Sequence, residues 1–203
     1  MWRRVHRWLA IVLVIPLVIW SLTGLLFHLK PGWSRAYDML DPERPAQIHL
    51  DKLVLPEGAT HVDVFSTAIG PLARVTTPKG DELYDADTGT KRSPLPIDAA
   101  QALAVDAIGR SHFASAYGAP TRVTSTETTV TLELADGPVV EVGRNDGRLS
   151  QRGPDTDRID WLYRIHYLQL TGNTTFDKLL ALAGLLLIWL VLIPGVVLFV
   201  RRR

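Results

Sequence analysis

The chain carries six histidines and no cysteine, so any metal or haem chemistry must run through imidazole rather than thiolate. Three of the six, His6, His28 and His166, lie at or beside the ends of long apolar stretches. His6 and His28 are 22 residues apart. On one helix that is about 33 Å, so the two cannot share an ion within one chain. His28 and His166 are expected at the same membrane face, where they could meet at similar depth. Neutral imidazole is a good axial ligand for haem iron. These two are therefore the candidate pair for a bis-histidine haem b, or for a bare metal. His6 could take part only with a ligand from another protomer. The plainer reading makes all three boundary residues bonded to headgroups or carbonyls, because an ionisable group costs little at a span's edge. His49, His61 and His112 have no neighbours at useful spacing and read as solvated.

Other chemistry is thinly signalled. Asp85, Asp87 and Gly89 spell the opening of a calcium loop, but the later ligand positions are not filled by carboxylates. A strand-ending turn is the better reading. The chain has no G-x-S-x-G, no H-E-x-x-H and no P-loop. No catalytic residue is assigned, and the chain does not read as a stand-alone enzyme. If it is redox-active, haem-dependent electron transfer is the chemistry.

The elements that must position these residues begin with two spans. From Trp8 to Leu29 the only ionisable residue is His28, and Leu179 to Val200 has none. Each is long enough to cross about 30 Å of hydrocarbon. Both contain a proline, Pro16 and Pro194, which membrane helices tolerate when hydroxyls such as those of Ser21 and Thr23 satisfy the freed carbonyls. Gly24 and Gly195 offer close backbone approach. The first stretch is too long for a signal-peptide core and lacks a small-residue cleavage site, so it reads as an uncleaved anchor. Arg3, Arg4 and Arg7 precede it, and Arg201, Arg202 and Arg203 follow the second span. The positive-inside rule then places both termini in the cytoplasm and the middle in the periplasm of a bacterium. Trp2, Trp8, Trp33, Trp161, Tyr163 and Tyr167 fall near the boundaries, as an aromatic belt would.

The formal net charge is +1, but with the terminal arginines set aside the middle carries 16 basic and 21 acidic residues. Such a middle lacks the basic footprint of a nucleic-acid binder. Its first part, to about residue 59, reads as a connector with one short helix near Ser34 to Leu40. From His61 the period is two, with Val62 and Val64 alternating with Asp63 and Phe65. A turn at Pro78 to Asp81 and a run from Glu82 to Ala86 make a hairpin or meander. Asp98 is expected to cap a helix, with Gln101 reaching back. Its stripe is Ala100, Leu103, Ala104, Ala107 and Ile108, and Gly109 is expected to end it. Strands follow over Thr121 to Thr126, Val130 to Leu134, Pro138 to Val142 and Arg148 to Arg152, with a hairpin at Asn145-Asp146-Gly147. The predicted class is α+β, an antiparallel sheet with a helix on one face. Asp160 to Leu170 predicts a short interfacial helix, broken from the second span by Thr171-Gly172-Asn173.

The order of these features resembles one family. Arg4-Val5-His6-Arg7-Trp8-Leu9 followed by Ser21-Leu22-Thr23-Gly24 is similar to the first span of PepSY-associated transmembrane proteins. Leu83 to Gly89, then Pro96-Ile97-Asp98 with its alanine-rich helix and the strands to Gly147, resembles a PepSY module. Trp161 to Gln169 is similar to a segment that precedes a later span in that family. The resemblance implies an inner-membrane protein with a periplasmic PepSY domain of the inhibitory or regulatory binding kind. Larger members, with more spans, are associated with iron uptake and ferric-siderophore reduction, some with haem held by transmembrane histidines. This chain has two spans only.

The expected organisation is a basic cytoplasmic start at residues 1–7, a span at 8–29 and a connector at 30–59. The PepSY-like domain occupies 60–153, an interfacial helix and loop 154–178, the second span 179–200, and a basic cytoplasmic end 201–203. Two functions fit. One is an anchored binding or regulatory module, using its sheet or a groove beside the Asp98 helix to engage a membrane or periplasmic protein. The other is an electron-transfer or iron-handling subunit that holds haem through His28 and His166. The expected partners are the lipid bilayer, a protein and, in oligomers, another copy of the chain, with no nucleic acid.

Overall fold

The computed structural model describes residues 2–40, 42 and 52–200. His49, the connector at 43–51 and the arginines at 201–203 lie outside them. The chain divides into two compact units, a helical one of residues 1–33 and 157–203 and a sheet-based one of residues 34–156.

The helical unit is built on α1 (Trp2–Leu29), most of α4 (Pro154–His166) and α5 (Thr174–Val200). Within α1 and α5, stretches of 26 and 24 residues are long and apolar enough to cross a membrane. Their large side chains, Val12, Ile15, Leu186 and Leu190 among them, are exposed rather than packed on protein. Only a hydrocarbon solvent accommodates such a surface.

Both helices start earlier than expected. α5 reaches back to Thr174 because Asn173 caps it, its Oδ1 accepting from the N–H groups of Thr175 and Phe176 at 3.1 Å each. Residues 174–178 therefore belong to the second long helix rather than to an interfacial loop. α4 begins at Pro154, six residues before Asp160, since proline's fixed φ suits a first helical position. It ends in a Schellman cap. Gln169 N–H donates to the Arg164 carbonyl at 2.7 Å and Leu168 N–H to Ile165 at 3.1 Å, with Leu168 itself left-handed at φ 54°. The break at Thr171-Gly172-Asn173 is where the sequence predicts it. The hydroxyl of Thr23 does not serve the carbonyl that Pro16 frees; it donates to Ile19 at 2.8 Å, one turn within its own helix.

The sheet unit holds two antiparallel sheets where one was expected. The first is a meander of β1 (His61–Thr67), β2 (Gly70–Thr77) and β3 (Gly80–Asp85). The second runs in order β4 (Pro120–Ser125), β5 (Thr129–Leu134), β6 (Val139–Gly143) and β7 (Leu149–Arg152). α3 (Ile97–Arg110) lies between them in sequence, so each strand set closes on itself through short hairpins. Its stripe of Ala100, Leu103, Ala104, Ala107 and Ile108 is buried as expected. That stripe meets Phe65, Leu72 and Leu83 of the first sheet and Val130, Leu132, Val140 and Val142 of the second in one core. The first sheet is covered on its other face too, where Val64, Ala73, Val75 and Tyr84 pack with Leu53, Ala59 and Val62. Period two in β1 therefore separates two apolar faces, not core from solvent.

Three local expectations give way. Pro96 stands at the α3 N-cap with no side-chain cap bond, because Ile97 and Asp98 already have helical geometry. Asp98 contributes only charge to the first turn. The helix runs through Gly109 to Arg110 and stops at extended Ser111, whose N–H bonds the Ala107 and Ile108 carbonyls. Part of the supposed connector is folded into the unit. A four-residue helix, α2 (Trp33–Ala36), replaces the longer one expected. Leu40 joins the main core, and Tyr117, itself buried, donates its hydroxyl to Asp38 at 2.8 Å.

The D-x-D-x-G segment is a turn closed by protein groups. Asp85 accepts from Thr88 N–H at 2.9 Å and from the Arg92 guanidinium at 2.7 Å. The Arg92 hydrogen bond holds the Asp85 carboxyl below its ordinary value, against the opposing effect of burial. With a depressed folded pKa, the pair contributes stability in full above the unfolded value of about 3.9 and loses it as pH falls through the folded one. Asp85→Asn is expected to flatten part of the acid limb of thermal stability below about pH 4. Thermal unfolding of the full chain in detergent across that range checks this; an acid limb as steep as wild type would contradict it.

Candidate functional site

In the helical unit the imidazole of His166, the last residue of α4, lies on α1. Its Nδ1 is 2.9 Å from Thr23 Oγ1. The Thr23 hydroxyl hydrogen is committed to the Ile19 carbonyl, so Oγ1 accepts from Nδ1–H. That tautomer leaves the Nε2 lone pair unused. The ring meets Phe27 edge-on at 4.9 Å between centroids, and the Trp20 indole N–H donates to the His166 carbonyl. The ring also lies beside Gly24, where a Cβ would make an ordinary contact of 3.9 Å with His166 Cε1.

His6 sits the same way on α5. A Cβ at Gly195 would be 3.7 Å from its Cε1 and 3.8 Å from its Nε2. Each of the two glycines thus lies beside a histidine ring, at a distance that a Cβ would also allow. Thr23 carries the contact to His166, but 143 residues separate them, and no local signal announces the pair.

His166 meets α1 at Trp20, Thr23 and Phe27. Thr23 and His28 are five positions apart, about 140° around a helix and about 7.5 Å along it. His28 is exposed, and no ring contact described for His166 involves it. His61 and His112 are exposed, as read. Among the described residues no cluster of three or more histidine and carboxylate groups could hold a metal ion. Of these histidines, His166 is the one whose imidazole is held by a side-chain hydrogen bond, to Thr23.

Three of the aromatics expected in a belt, Trp33, Tyr163 and Tyr167, gather around Phe27, while Trp8 and Trp161 stay exposed. Phe27 stacks on Tyr163 at 4.7 Å and meets Trp33 edge-on at 5.8 Å, while Tyr163 lies parallel to Tyr167 at 6.0 Å. Lys30 Nζ sits 5.9 Å from the Trp33 ring centre. Rings of this kind settle at headgroup depth.

A second candidate lies in the sheet unit and was not anticipated. Arg74, on β2, faces a cleft of about 230 Å³ lined also by Asp63, Phe65, Gly147, Arg148 and Leu149. The Arg74 side chain is only 15% exposed. Its guanidinium lies 5.0 Å from the Phe65 ring centre, and its Nε donates to the Asp146 carbonyl at 2.6 Å. Its contact with Asp63 is long, 3.4 Å, which leaves donors for an acceptor entering the cleft. Burial pushes the Arg74 guanidinium below its ordinary value, with Asp146 and Asp63 opposing. Arg148 brings a second, more exposed cation, held to Asp81 at 2.7 Å. Arg74 is on β2 and Arg148 in the β6–β7 turn of the other sheet, so only the tertiary fold makes them neighbours. The cleft lies at the β6–β7 turn, not beside Asp98.

No match was found among curated proteins or among solved structures. A family model described as "PepSY-associated TM region" matches residues 3–203, nearly the whole chain and both apolar helices. The chain is a membrane protein and belongs to the PepSY-associated transmembrane family.

Proposed function

We propose that the protein is an inner-membrane-anchored binding and regulatory module whose sheet unit, on the periplasmic side, engages a protein partner. The observation that carries this reading is the Arg74 cleft. A largely desolvated guanidinium with unused donors, backed by an aromatic ring and flanked by Arg148, suits a carboxylate presented by a partner segment. Anchoring by two spans would raise the effective concentration for a membrane-bound partner. A photo-crosslinking residue at Leu149, on the cleft wall, is expected to capture a discrete membrane or periplasmic protein in cells. Arg74→Gln should reduce that product at least tenfold, since a charge-assisted bond to the partner is about 1.5–3 kcal/mol, while the variant still unfolds cooperatively. Capture undiminished by Arg74→Gln would contradict the reading.

A second reading rests on His166. Its Nδ1–H is fixed by Thr23 and its Nε2 is free, the arrangement in which a second-shell partner orients an imidazole for a metal. His166 would supply one axial ligand of a haem b, with the other ligand coming from another chain. Haem so held would supply one-electron transfer. Purified full-length protein supplied with haem is then expected to show a Soret band that His166→Ala abolishes and His28→Ala keeps. A chain without Soret absorbance, or one whose band survives His166→Ala, would end this reading.

A further inference from the structure

We propose that the helical unit holds one anionic diacyl phospholipid in a groove along α5, with its phosphate at Arg164 and Lys178 and an acyl chain running towards Ile188. The groove begins as a cavity of about 450 Å³ whose lining includes the cations Arg164 and Lys178 beside Tyr167 and Gln169. It continues as an apolar cavity of about 140 Å³ walled by Leu17, Trp20, Leu168, Gly184 and Leu185. Ala181 lines both. The α5 residues that face the two cavities, Thr174, Lys178, Ala181, Gly184, Leu185 and Ile188, recur at three- and four-residue steps. They form one helix face about 21 Å long. Its side chains change in order from polar, through small, to branched apolar, which is the profile of an amphiphile lying along it.

The charge at the polar end selects the headgroup. Arg164 reaches only the Gln169 carbonyl, at 3.4 Å. Among the described residues neither Arg164 nor Lys178 is ion-paired. Asp177 lines the same cavity, but its carboxylate accepts from the Thr171 N–H at 3.1 Å and hydroxyl at 2.8 Å and is 4% exposed. The ammonium of a zwitterionic lipid would find that carboxylate already engaged. Two cations against one carboxylate leave a net charge of one, which a single phosphodiester neutralises. Lys178 stands in the second turn of α5, where the apolar stretch begins and headgroups are found.

The test uses the full chain, delipidated in detergent and titrated with phosphatidylglycerol, phosphatidylcholine or soluble glycerol phosphate. Native mass spectrometry reads the retained ligand. One phosphatidylglycerol per chain is expected, retained at least tenfold better than phosphatidylcholine and not displaced by glycerol phosphate. Arg164→Gln with Lys178→Gln should abolish that preference. Gly184→Leu, which keeps both cations but fills the apolar cavity, should weaken retention by a similar factor with helicity unchanged. Equal retention of the two lipids, or a preference that survives the double substitution, would reduce the groove to ordinary boundary lipid and overturn the proposal. Displacement by glycerol phosphate would show a phosphate site without a tail and would overturn it as well.

Discussion

Hydrocarbon is the solvent that α1 and α5 require, and the rest of the chain is arranged around that requirement. Their large apolar side chains are left uncovered by protein over stretches of 26 and 24 residues. At roughly 25 cal/mol per Å² of apolar surface, no polar feature of a chain this size could offset exposing both to water. Polar groups within the helical unit are placed accordingly. The Thr23 hydroxyl bonds its own helix and His166, Asn173 caps α5, and Asp177 turns its carboxylate onto Thr171. The aromatic cluster of Phe27, Trp33, Tyr163 and Tyr167 gathers where α1 ends, as a headgroup boundary demands.

The sheet unit obeys ordinary aqueous rules. Its stability rests on one core shared by two sheets and α3, with a smaller cluster behind the first sheet. With no cysteine in the chain, nothing covalent supplements that packing. The many alanines of α3 let it lie close to β5 and β6, so a fourteen-residue helix can serve both sheets at once. The same closeness of two sheets creates the Arg74 cleft, since a guanidinium on β2 and the β6–β7 turn come together only when both meet that core.

What the sequence made legible follows from the range of the interactions concerned. The α3 stripe, the hairpins at Pro78 to Asp81 and Asn145 to Gly147, and the two apolar helices depend on neighbours a few residues away, and the structure has them. The partition into two sheets depends on which strands pair, and nothing within β3 or β4 states that they do not. The Asp98 cap failed because Pro96 and Ile97 already begin the helix, a choice of one turn that composition leaves open. The start of α5 carries a local signal, Asn173 before Thr174 and Thr175, but it stands several residues ahead of the apolar run that marks the span. His166 stands out by residue type, but its bond to Thr23 joins residues 143 positions apart that no local pattern connects. Arg74 had no local signal at all.

Because the chain has no native cysteine, single thiols report the solvent of chosen positions directly. With a membrane-impermeant maleimide applied to intact spheroplasts, Glu141→Cys on the second sheet should label fully, while Leu190→Cys in α5 should stay unlabelled until the membrane is dissolved. Rapid aqueous labelling of Leu190→Cys, or labelling of Glu141→Cys only after lysis, would contradict the account at its foundation.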